Sequence, residues 1–186
     1  MRCTIDYIQV PYIILEFEEH LTVKPILLEK IASTTGVKLN NEDHCISDFY
    51  QRENNTLKYN NFSQDTRDYA NYITPFISRY VEVALKDFDV NKLFVKEIWF
   101  QQYYKMNYHN WHDHISSHWA AIYYLELDVK GPKTLFRNLS GEIIEPDIQE
   151  GDIIIFPSFL KHKSPSNKTN NRKTVIACNI DEVYNV

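Results

Sequence analysis

Residues 150–180 read EGDIIIFPSFLKHKSPSNKTNNRKTVIACNI. An apolar run, Ile153 to Phe156, ends at Pro157, which cannot donate to a strand ladder. His162 follows, and ten residues after it Arg172 opens a second apolar run. Short apolar runs bounded by Gly, Pro, Asn and Lys are the mark of buried strands. On the second run, alternation sets Arg172 and Thr174 on one face, with Ile176 and Cys178 behind them. A cation heading such a strand needs an anionic partner, because an unpaired buried charge is costly. A guanidinium suits a carboxylate, which it grips through two parallel hydrogen bonds. A salt bridge at the rim is the other use of the same residue.

Upstream, residues 108–128 read YHNWHDHISSHWAAIYYLELD. His109, His112, Asp113, His114 and His118 crowd together just ahead of an apolar strand. In an extended segment residues i and i+2 share a face, so His112 and His114 can address one ion while Asp113 points away. Asp113 could serve only if the backbone is not extended, and His118 only if the loop folds back. His20, His44 and His109 read as surface or satisfied core histidines.

From Asp89 onward the period is strand-like. VKEIWFQQYYK, HWAAIYYLELD, PKTLFRN, EIIEP, DIIIFP and KTVIACNI follow one another between turn residues. Before Asp89 the pattern is mostly helical. A strand over roughly Thr4 to Phe17 leads to a helix with Pro25 in its first turn, ending near Gly36. A polar segment, 37–62, separates it from the strongest helix, about Asp65 to Leu85. Ser63 or Asp65 can cap that helix, and Tyr69, Ile73, Phe76, Ile77, Tyr80, Val81 and Ala84 form its apolar stripe. The expected class is α+β and mainly β. A double-stranded β-helix (jelly roll) core over about 93–182 is supported by an N-terminal strand and helices over about 1–92, in one domain of 186 residues.

A net charge of −5 and a pI near 5.8 argue against nonspecific nucleic-acid binding, which needs a basic face. No apolar run approaches the ~20 residues that cross a bilayer, and the N-terminus lacks a signal-peptide cleavage site. Cys3, Cys45 and Cys178 suggest neither a disulfide framework nor a zinc knuckle. A cytoplasmic protein fits, a phage-encoded one in its host's cytoplasm included.

The order His-x-(Asp or His), strand, apolar strand ending in Phe-Pro, distal His, then Arg resembles the iron(II)/2-oxoglutarate-dependent dioxygenase superfamily. The likeness is strongest to its prolyl-4-hydroxylase-like branch, including small oxygenases encoded by bacteria and tailed phages. It runs from about Val95 to Ile180. The resemblance implies Fe(II) as cofactor and 2-oxoglutarate and O2 as co-substrates. It implies His112 and His162 as ligands, with His114 at the position where the family has a carboxylate. Arg172 would pair with the far carboxylate of 2-oxoglutarate, assisted by the Thr174 hydroxyl and by Tyr124. Tyr103 or Tyr104, on the preceding strand, is a second candidate for the tyrosine. Trp111 and His118 are candidates to line the substrate. The implied reaction is hydroxylation of an unactivated C–H bond, with a prolyl residue of a peptide or protein as the default substrate. Long polar segments often carry function, so the segment between Asn40 and Asn61 is a candidate lid or substrate loop. Two alternatives remain: a three-histidine cupin-type iron dioxygenase without 2-oxoglutarate, and a non-catalytic jelly-roll binding protein.

Overall fold

The computed structural model describes residues 9–34, 38–40, 44–49 and 67–183. Cys3, the helix end at Gly36, the caps Ser63 and Asp65, and most of the polar segment 37–62 with its lid lie outside these residues. In chain order the strands are β1 (Ile13–Glu16), β2 (Lys38–Asn40), β3 (Cys45–Ser47), β4 (Lys92–Tyr103), β5 (His109–His112), β6 (Trp119–Glu126), β7 (Leu135–Arg137), β8 (Ile143–Ile144), β9 (Asp152–Pro157), β10 (Lys161–Ser164) and β11 (Lys173–Val183). Helix α1 (His20–Ala32) follows β1, and α2 (Asp68–Leu85) precedes β4.

The apolar runs become the centre of a seven-stranded sheet ordered β1-β9-β6-β11-β4-β3-β2, and a four-stranded sheet, β5-β10-β7-β8, lies against it. Every pairing is antiparallel, which gives the jelly roll. Strand alternation divides the large sheet's side chains between two cores. Phe100, Tyr123, Ile155 and Ile176 pack on α1 and α2 through Leu27, Ile73, Ile77 and Val81. Trp99, Tyr124, Phe156 and Val175 face the small sheet. Burying such a side chain is worth about 1.5–3 kcal/mol, so packing on the sheet, more than intrinsic propensity, holds the helices.

The apolar stripe of α2 faces the sheet as its spacing predicts. Helix α1 begins directly after β1, so Pro25 falls in its second turn and not its first. The strands that the sequence did not announce are β2 and β3, inside the polar segment, and β5 and β10. The sequences of β5 and β10, HNWH and KHKS, carry no apolar alternation, yet they pair with each other and form half of the small sheet.

Candidate metal centre

His112 ends β5 and His162 lies in β10, and the two are direct cross-strand partners. His114 follows β5, held by its backbone N–H donating to Ser158 O at 2.8 Å. The pairing brings the three imidazoles together, with one ligand atom from each lying within 4.8 Å of the others. Ring centroids are 4.1 Å apart for His112 and His162, 5.1 Å for His114 and His162, and 5.2 Å for His112 and His114.

The hydrogen bonds prepare two of these rings as ligands. His112 Nδ1 meets Asn110 O at 2.8 Å, and His162 Nδ1 meets Leu160 O at 3.0 Å. A carbonyl only accepts, so each Nδ1 carries the proton and each Nε2 keeps its lone pair, the second-sphere arrangement that orients metal-binding histidines. Burial, then the neighbouring His112 and His114, hold His162 well below the ordinary imidazole range, so it stays neutral. Metal–imidazole bonds of about 2.0–2.1 Å need only a small inward movement of such a group. The donor set fits a divalent transition metal with open coordination positions. Among the described residues the group holds no carboxylate.

A cavity opens beside the three rings, and most of the remaining candidate residues lie outside its lining. Arg172 precedes β11 and turns outward, where Nε and Nη2 donate to the two Glu126 carboxylate oxygens at 2.8 and 2.9 Å. This bidentate pair raises the guanidinium pKa further. Thr174 lies on the same side, bonded through its hydroxyl to Glu126 and 3.5 Å from Gln102 Nε2. Tyr104 is exposed. Tyr124 does face the small sheet, but its hydroxyl donates to Thr134 Oγ1 at 2.6 Å. His118 is half exposed and pairs with Asp181 at 3.0 Å, away from the metal group. Trp111 sits between His-bearing positions but its ring packs beneath Arg137 and Lys163, 4.4 and 4.8 Å from its centroid. Asp113 is not part of the metal group.

The residue that enters the cavity is Lys173, one position after Arg172. It is 2% exposed, and its cross-strand partner on β4 is Tyr103. Nζ donates to Pro132 O at 2.9 Å and Ser164 Oγ at 2.8 Å. It also lies 5.2 Å from the Tyr103 ring centroid and 5.6 Å from that of Tyr124. All these partners are neutral, and burial lowers the ammonium pKa from 10.5 to about 7. Lys173, Ser164, Tyr103, Gln101 and His109 all line the cavity with the three metal-group histidines, and the sequence reading assigned none of the five firmly. A one-residue step along a strand exchanges its faces, so the signal was present: Lys173 shares the face of Val175 and Ala177, which turn away from the helices.

No protein-family profile and no curated protein matches this sequence. Solved structures do match the fold. An oxidoreductase of the 2OG-Fe(II) oxygenase family from Burkholderia pseudomallei matches with a TM-score of 0.55 and 10% identity, over 63% of this chain and 59% of that one. A prolyl-4-hydroxylase from Pseudomonas putida matches with a TM-score of 0.63 and 10% identity, over 94% of each chain. The viral collagen prolyl hydroxylase from Paramecium Bursaria Chlorella virus-1, in its 2OG complex, matches with a TM-score of 0.59 and 12% identity, over 92% of this chain and 96% of that one. The jelly roll found here is therefore the fold of the 2OG-Fe(II) oxygenases and prolyl hydroxylases.

Proposed function

We propose that this chain is an Fe(II)/2-oxoglutarate-dependent oxygenase that hydroxylates an unactivated C–H bond. His112, His114 and His162 hold the iron, and Lys173 binds the far carboxylate of 2-oxoglutarate. One observation carries the reading: a three-imidazole group and a buried ammonium share a single cavity. His162 and Ser164, which marks the lysine's end of the cavity, lie two residues apart on β10. Two residues of strand span about 6–7 Å, the reach of a five-carbon dicarboxylate with one end at the metal.

Bound iron would supply dioxygen activation coupled to oxidative decarboxylation of 2-oxoglutarate to succinate. The chain's own residues bind, orient and shield. Ser164 Oγ and Pro132 O hold the Lys173 ammonium, leaving its third N–H for the co-substrate. Tyr103, Trp99, Phe156 and Val175 give the cavity apolar walls, where a charge pair is stronger than in water. Three neutral imidazoles leave an Fe(II) site at +2, where the usual two-histidine, one-carboxylate set leaves +1. The 2-oxoglutarate dianion would offset two of the three positive charges that this site and Lys173 present together. The prolyl-hydroxylase neighbours make a prolyl residue in a peptide or protein the first substrate class to test.

The test is an anaerobic titration with Fe(II) and 2-oxoglutarate, following the visible metal-to-ligand charge-transfer band. The band is expected in the wild type and in Arg172→Ala, with saturation lost in Lys173→Met. Tight iron binding with no band at any 2-oxoglutarate concentration would remove 2-oxoglutarate from the reading, and absence of iron binding would remove the enzyme.

A further inference from the structure

His109 is a cavity residue that neither the metal group nor the lysine accounts for. The β5–β10 register is irregular: His112 faces His162, but His109, three positions earlier, faces Ser164, only two positions later. The extra residue is a β-bulge. It turns His109 to the inner side with His112, where regular alternation would have set the two on opposite faces. The rings stack, with centroids 3.8 Å apart and planes within 10° of parallel. Along the sheet His109 is thus level with Ser164, and Ser164 holds Lys173. Its ring lies beside the path between the metal group and the ammonium.

Its tautomer is set from behind. Gln101 Nε2 lies 3.0 Å from His109 Nδ1 and 3.9 Å from Cys45 Sγ, while Gln101 Oε1 accepts from the Tyr103 hydroxyl at 2.9 Å. An amide nitrogen only donates, so His109 Nδ1 accepts and the imidazole proton sits on Nε2. A neutral ring with a donor at Nε2 is suited to an anionic oxygen and unsuited to a metal ion.

We propose that His109 is a co-substrate-binding residue. Its Nε2–H donates to a carboxylate oxygen of the dicarboxylate held between the metal and Lys173, and Gln101 fixes the tautomer that makes this possible. The inference rests on the 2-oxoglutarate reading above and adds a specificity-determining contact to it. A ligand with no oxygen at this level of the cavity would leave the donor unmatched, which selects for one that carries a carboxylate oxygen there.

Two measurements test it. The first is imidazole 15N NMR of the metal-free protein. His109 is expected as the Nε2–H tautomer in the wild type and as Nδ1–H in Gln101→Glu, where a carboxylate replaces the amide donor. An Nδ1–H ring in the wild type overturns the proposal. The second is the anaerobic Fe(II) titration with 2-oxoglutarate on the wild type, His109→Phe and Gln101→Glu. His109→Phe keeps a stacked ring and removes the donor. Both variants should bind 2-oxoglutarate about 10- to 100-fold more weakly, the effect of one charge-assisted hydrogen bond, with Fe(II) affinity unchanged. His109→Gln, which restores a donor, should recover part of the loss. Unchanged 2-oxoglutarate affinity overturns the proposal alone. A parallel fall in Fe(II) affinity also overturns it, making His109 a support for His112. No charge-transfer band in the wild type overturns the underlying oxygenase reading and this contact with it.

Discussion

Arg172 and Lys173 are neighbours in sequence and opposites in environment. The arginine sits at the rim with its fork filled by Glu126, its charge matched within the chain. The lysine lies wholly inside, against a carbonyl, a hydroxyl and two aromatic rings, with its charge matched by nothing on that list. A fold that keeps an ammonium buried among neutral groups bears a standing desolvation cost. Such a cost is tolerable where an anion arrives to offset it. The difference teaches that a side chain suited to anions is of no use to a ligand when its partner is already built in, whereas a buried ammonium among neutral groups still has a charge to be met.

The contrast is sharpest in co-substrate binding. Removing one member of a buried, hydrogen-bonded charge pair costs about 2–5 kcal/mol. Lys173→Met should therefore weaken 2-oxoglutarate binding by about 30-fold or more, read by isothermal titration with Fe(II) under anaerobic conditions. Arg172→Ala should leave that affinity nearly untouched. The reverse ranking would return the role to Arg172 and break the comparison outright.

The sequence made the two histidines of His-x-His and the distal His162 visible because their spacing and order survive without a structure. The face of Tyr124 was also legible, since Ala120, Ile122 and Tyr124 do face the small sheet as alternation requires. The same alternation expects Leu127 on the other face with Tyr123 and Leu125, but it packs on the Tyr124 side, because β6 ends at Glu126 and the alternation ends with it. Alternation sorts the residues of β11 onto two faces but does not say which of them lines the cavity. Arg172 and Thr174 do share a face with Ile176 and Cys178, but that is the helix-covered face. Arginine's carboxylate chemistry is satisfied within the chain by Glu126, which a register shift brings opposite Thr174. His109 was hidden for a different reason. A bulge leaves no residue signature in HNWH, so alternation counted from His112 sends His109 outward.

The pH dependence of binding separates the two cations again. The free Lys173 ammonium titrates at about 7, whereas Arg172 holds its proton at any usable pH. Below about 7 the lysine is already charged and 2-oxoglutarate affinity should be flat. Above it, binding must take up a proton, so affinity should fall by up to about tenfold per pH unit until the bound-state pKa is passed. Lys173→Arg, always charged, should abolish the slope. A slope that survives in Lys173→Arg would assign it to another group.

The same titration must appear in the metal-free protein's stability. The folded-state pKa is depressed to about 7 from 10.5, so between these values the unfolded chain holds a proton that the folded chain has released. Unfolding free energy then rises with pH across that window, by at most about 1.4 kcal/mol per unit. The penalty is fully present below about 7 and relieved by 10.5. Denaturant melts of the wild type against Lys173→Met at a series of pH values isolate this contribution, since other groups cancel in the difference. A difference that stays flat from pH 7 to 10 would mean that the lysine is solvated in solution.

The smallest effect belongs to the rim. Arg172 and Glu126 are partly buried, with side chains 33% and 19% exposed, so their pair sits between a screened surface contact and a dry one. Exposed pairs are worth about 0.2–1 kcal/mol and bidentate geometry raises the figure. Arg172→Ala should cost about 1 kcal/mol of stability, and added salt should reduce that cost. Glu126→Gln should cost a similar amount, and the double variant no more than either alone, because the partners lose one shared contact. Additive costs in that cycle would show that each residue acts through something else. Glu126 also holds Thr174, so a cost for Glu126→Gln in excess of Arg172→Ala would measure how far the rim pair steadies the start of β11 and, one residue on, the lysine that points inward.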